Sequence, residues 1–89
     1  MMSYFFAVHS IPFDEKTLVE YAKEEAPKFP ERGATWIKSY CAFEDEKQYC
    51  VWEASDKGTI EQLFKEYEIP YDSVQKVKIF DVSTAKLED

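Results

Sequence analysis

The stretch Trp36-Ile37-Lys38-Ser39-Tyr40-Cys41-Ala42-Phe43, then Glu44-Asp45-Glu46-Lys47, then Gln48-Tyr49-Cys50-Val51-Trp52-Glu53-Ala54 decides the fold. Two runs rich in aromatic and β-branched residues flank four charged ones, the pattern of two antiparallel strands joined by a short turn. Outward from this hairpin, helical spacing lies on either side. Asp14 to Ala26 comes before it, with Leu18, Tyr21, Ala22 and Ala26 on one face. Asp56 to Tyr67 comes after it, with Ile60, Leu63, Phe64 and Tyr67 at i, i+3, i+4, i+7. Tyr4 to His9 opens the chain as a strand and Val74 to Val82 closes it as another.

The order strand, helix, strand, strand, helix, strand predicts an α+β domain of ferredoxin-like βαββαβ type. Right-handed crossovers in both strand-helix-strand units interleave the strands as a four-stranded antiparallel sheet in the order 4-1-3-2, with both helices on one face. The other face then carries large apolar groups without a helical cover. A second copy is expected to cover it, which makes the molecule a homodimer of dimeric α/β-barrel type. With 89 residues there is one domain, 1–89, its core about 3–82 and a polar tail at 83–89.

Local signals set the boundaries. Asp14 caps the first helix, and Phe13 with Leu18 has staple spacing. Pro27 disfavours helix at Ala26, so a loop is expected from Lys28 to Ala34. The second helix is expected to start at Ser55 or Asp56. If Phe43 pairs with Gln48, Cys41 stands opposite Cys50 on one face; a one-residue change in the turn puts them on opposite faces.

Composition removes several functions. Eighteen acidic against eleven basic residues give a net charge of -7, which repels phosphate backbones and anionic lipid surfaces. No run approaches a membrane span of about 20 apolar residues, and no signal peptide is visible at the start, so no nucleic acid, no membrane and a cytoplasmic location are expected. Two cysteines without an export signal are expected to stay reduced. The only glycines, Gly33 and Gly58, are far apart and make no phosphate loop; no CxxC or HExxH is present. No catalytic residue is assigned.

Three residues remain as candidates. His9, the only histidine, ends the first strand; it is either an ordinary strand-end histidine or an imidazole that binds metal or moves a proton near neutral pH. Cys50, like Cys41, is a core thiol or a soft ligand. Glu53 is a solvated carboxylate or an oxygen ligand.

At these residues the chain resembles a known family. The stretch Tyr49-Cys50-Val51-Trp52-Glu53-Ala54, together with Ala7-Val8-His9, is similar to the small ferredoxin-like, nickel-binding family catalogued as domain of unknown function 4242, and the resemblance runs from about Tyr4 to Val82. It implies a metal site at His9, Cys50 and Glu53 for nickel or another divalent transition metal. Members of that branch carry further histidines on the helices, where this chain has Tyr21, Glu24, Glu25, Tyr67 and Glu68. The resulting reading is a small cytoplasmic protein that binds a divalent transition metal such as nickel. The competing readings are a dimeric α/β-barrel enzyme of monooxygenase or isomerase type, acting on a small aromatic or apolar substrate, and an acidic interaction or regulatory module.

Overall fold

A computed structural model describes residues 2–88. The expected pattern is present in it: β1 (Ser3–His9), α1 (Glu15–Glu25), β2 (Ala34–Ala42), β3 (Lys47–Ala54), α2 (Lys57–Glu66) and β4 (Ser73–Val77). The four strands form one antiparallel sheet ordered β2-β3-β1-β4, the expected order read from the opposite edge. Alternation assigns the faces. Phe5, Ala7 and His9 of β1, with Cys50, Trp52 and Ala54 of β3, are buried. Ile60, Leu63 and Phe64 of α2 complete the same core, while Tyr21 of α1 packs against it half-buried.

The helix starts follow their caps. Asp14 accepts from Thr17 N at 2.7 Å, and Asp56 accepts from Thr59 N at 2.8 Å. The Phe13 ring, just ahead of the cap, lies 4.8 Å from that of Phe43 in the hairpin turn.

Four local differences from the sequence-based expectations have physical causes. Ala26 to Arg32 is not a loop but a 3-10 helix. Pro27 sits in its first turn, where the missing N–H costs nothing, and Phe29 is fully buried. Gly33, at φ +87, closes it by donating to the carbonyls of Phe29 and Pro30.

The hairpin turn starts earlier than expected, because Phe43–Asp45 forms a 3-10 turn closed by Glu46 at φ +54. Lys47 therefore joins the strand, and Cys41 rather than Phe43 pairs with Gln48. This two-residue slide keeps both cysteines on one face, as diagonal neighbours, with Cys50 opposite Ser39.

β2 carries a bulge at Ile37, between the pairs Trp36–Trp52 and Lys38–Val51. An extra residue inverts the alternation, so Trp36 and Ser39 both face the helices.

The last strand, expected as one run to Val82, ends at Val77. Ile79–Asp81 (β5) pairs with Lys86–Glu88 (β6) in a separate two-stranded ribbon built partly from residues expected in the tail. Asp81 holds its turn by accepting from Ser83 N at 2.9 Å.

The open face of the main sheet carries Tyr4, Phe6, Val8 and Tyr49, all half-buried, and the rings of Phe6 and Tyr49 stack at 6.1 Å. No helix among the described residues is long and apolar enough to cross a membrane.

Candidate functional site

Between the sheet and the two helices lies a cavity of about 280 Å³. α1 contributes Leu18 and Tyr21, the end of α2 and its following loop contribute Phe64 and the run Tyr67 to Pro70, and the sheet contributes its floor. The core fails to close here because α1 has no fully buried residue; its face is thin, and the long walls come from aromatic rings elsewhere. Trp52 is the centre of those walls, with ring centroids 5.4 Å from Phe29, 5.4 Å from Phe64 and 6.1 Å from Trp36.

His9 stands at the rim of the floor, 3 % exposed. Its Nδ1 lies 2.7 Å from the carbonyl oxygen of Pro70, 61 residues away in sequence. A carbonyl only accepts, so Nδ1 carries the proton and Nε2, on the far side of the ring from Pro70, is a bare lone pair. The loop that supplies Pro70 is fixed by Ile69 N donating to Phe64 O at 2.8 Å and Asp72 N donating to Val8 O at 2.7 Å. Burial lowers the His9 pKa from 6.5; the Pro70 carbonyl and the Asp72 carboxylate pull the other way and lose. The imidazole is therefore neutral at pH 7.

Next along the floor is a polar chain that the Ile37 bulge assembles. Trp36 Nε1 donates to Ser39 Oγ at 2.8 Å, Gln48 Nε2 donates to the same oxygen at 3.4 Å, and Ser39 Oγ donates to Cys50 Sγ at 3.0 Å. These groups satisfy one another. Burial pushes the Cys50 thiol up to about 12, so it stays protonated at neutral pH.

Two residues of the cavity wall carry unsatisfied groups. Tyr21 Oη and Trp52 Nε1 are buried with no hydrogen-bond partner. An unpaired buried donor costs roughly 1 to 3 kcal/mol.

Of the three residues singled out in the sequence, the structure brings two together. His9 and Cys50 face the cavity from neighbouring strands, since His9 pairs with Gln48 and Ala7 with Cys50. Glu53 is on the other face of the sheet, between Tyr4 and Thr35. Among the described residues no group of three or more His, Cys, Asp or Glu is placed to hold a metal ion. His9 and Cys50 thus offer one imidazole and one thiol that burial keeps protonated. Tyr21, Gln48 and Trp52 escaped the sequence reading as site residues; inward spacing marked Tyr21 as core, and nothing in its pattern distinguishes a packed hydroxyl from an unpaired one.

Both cysteines are free thiols. As diagonal neighbours they stand roughly 7 to 8 Å apart, beyond what a disulfide bridges without backbone movement. Mass spectrometry after alkylation is expected to find slow labelling of half-buried Cys41 and none of Cys50 in folded protein, with both labelled after denaturation. Fast native labelling of Cys50 contradicts its placement.

The chain matches the protein-family model described as "Nickel responsive protein SCO4226-like" over residues 5–77. The searches of curated proteins and of solved structures returned no match.

Proposed function

The chain belongs to the nickel responsive SCO4226-like family, and on that footing we propose that it works as a small binding protein whose ligand is a flat, largely apolar organic molecule held in the cavity between helices and sheet. The observation that carries this reading is the coincidence, in one aromatic-walled cavity of about 280 Å³, of a mostly apolar lining and one imidazole nitrogen with a free lone pair. Concave, mostly apolar sites with a few placed polar groups are the usual form of a small-molecule site. The fold itself argues for no particular chemistry.

Indole is a suitable first probe. A ligand that binds only the folded state, at a hundred times its dissociation constant, adds about 2.7 kcal/mol of stability. For a domain of this size each kcal/mol is worth roughly 4 to 8 °C. A rise of about 10 °C or more at saturating indole is expected in a thermal scan. The gain should disappear when Leu18→Trp fills the cavity; an unshifted wild-type curve overturns the reading.

The family match favours a second reading, divalent transition metal binding, nickel first, anchored at His9 with Cys50 and Glu53 as companions. It draws on the tautomer that leaves Nε2 unprotonated; Glu53, on the other face of the sheet, could not join His9 and Cys50 within one chain, so donors from outside this chain would have to complete the set. In the same scan nickel should raise the melting temperature of the wild type and leave His9→Ala unmoved; an equal response of both ends this reading. The finer kinship with the family catalogued as domain of unknown function 4242 rests on the Tyr49 to Ala54 stretch. The aromatic open face supports a homodimer of α/β-barrel type, for which sedimentation should give twice 10.5 kDa. A cytoplasmic location belongs to the same proposal.

A further inference from the structure

We propose that the ligand of this cavity is a neutral aromatic molecule of about two fused rings bearing one hydrogen-bond-donating group such as a hydroxyl, which donates to His9 Nε2. The inference rests on the cavity being the binding site and adds size, charge and polarity to it.

Size comes from volume. A cavity of roughly 150 Å³ lined by apolar side chains accommodates benzene, and this one, at about 280 Å³, has about twice that space. The walls favour rings. Trp52 and Trp36 lie nearly parallel at 17°, while Phe29 and Phe64 approach Trp52 at 38° and 75°, so faces and edges are both offered to an aromatic guest.

Charge comes from what the walls hold. Among the described residues that line the cavity there is no lysine or arginine, and the one carboxylate is Glu68 in the loop after α2. His9 and Cys50 are neutral at pH 7 for the reason already given, their burial. The whole chain carries a net charge of -7. An anion entering this space would lose its hydration and meet no cation in return.

Polarity comes from the balance of donors and acceptors. The Ser39 chain is closed on itself, with Trp36, Gln48 and Cys50 as its partners. What remains open to a ligand is His9 Nε2, which only accepts. Tyr21 Oη and Trp52 Nε1 are unpaired but sealed behind the wall. A hydroxyl or a ring N–H donates to the imidazole, whereas a carbonyl leaves it unmatched.

Equilibrium dialysis at pH 7.5 with 2-naphthol, naphthalene and 2-naphthoate separates these statements. 2-Naphthol is expected to bind at least about tenfold more tightly than naphthalene, and 2-naphthoate more weakly than either. His9→Phe should bring 2-naphthol down to the affinity of naphthalene. Equal affinities of naphthalene and 2-naphthol for the wild-type protein overturn the hydroxyl assignment while the cavity reading stands. Tightest binding of 2-naphthoate overturns the claim of neutrality. No binding of any of the three, together with no thermal response to indole, overturns the cavity reading and this inference with it.

Discussion

Phe64→Ala is expected to destabilise the domain by about 3 to 5 kcal/mol, and the melting temperature should fall by upwards of about 12 °C. Phe64 is 1 % exposed, and its ring joins the parts of the molecule that matter most to the site. Its centroid lies 5.1 Å from His9, 5.4 Å from Trp52 and 5.2 Å from Tyr71, so one side chain ties α2 to the sheet floor and to the loop that supplies Pro70. The neighbouring cavity makes collapse around the missing ring harder, because there is already unfilled space on that side. Phe64→Leu, which keeps most of the apolar volume, should cost much less. Chemical denaturation of the three proteins checks this, and a loss below about 1 kcal/mol for the alanine variant contradicts the packing described.

The second large effect is on pH dependence. The folded state lowers the His9 pKa below 6.5, so in moderately acidic solution the unfolded chain binds a proton that the folded chain refuses. The stability this imidazole contributes is complete above about pH 6.5. It begins to be lost as pH falls through that value and is gone below the folded pKa. The groups facing His9 are accounted for. The Asp72 carboxylate, held with Lys47 and Ser10 outside the cavity, favours the protonated ring, yet burial against Phe64 outweighs it. From within the cavity Cys50 is neutral, and Glu68 lies at the loop. Asp14, Asp56 and Asp81 have pKa values lowered by the hydrogen bonds they accept from Thr17, Thr59 and Ser83, so their loss falls below about pH 4, clear of the histidine window. Unfolding free energies measured from pH 8 to pH 5 should decline in the wild type and stay level in His9→Gln. The variant starts lower because it loses the bond to Pro70, but the slope is the diagnostic quantity. Equal slopes would mean that His9 titrates alike in both states.

The architecture was legible because its determinants are local and repetitive. Alternation in Tyr4 to His9 and Gln48 to Ala54, helical spacing at Ile60, Leu63, Phe64 and Tyr67, and caps at Asp14 and Asp56 all point the same way. What was missed depends on backbone choices that side-chain periodicity does not record. Glu46 in the left-handed region moved the hairpin register, Ile37 in a bulge turned Ser39 inward, and Phe29 drew a proline-rich segment into helical turns. The candidate site was legible only in part for the same reason. His9 was visible as the only imidazole, at a strand end, and Cys50 was marked by the family resemblance of its strand. Whether a helix face fills the space above them is a question of volume, and α1 reads as amphipathic whether or not it closes the gap. The unpaired state of Tyr21 Oη and Trp52 Nε1 exists only in three dimensions.

The central claim, that ligand binding takes place in this cavity, is tested most directly by mapping indole on the isotopically labelled protein by NMR. The account predicts dose-dependent shifts of the His9 and Tyr21 ring signals and of the Trp52 indole N–H, with the open-face residues Tyr4, Phe6 and Tyr49 unmoved. Shifts confined to that open face, or no shifts at saturating probe, would contradict it.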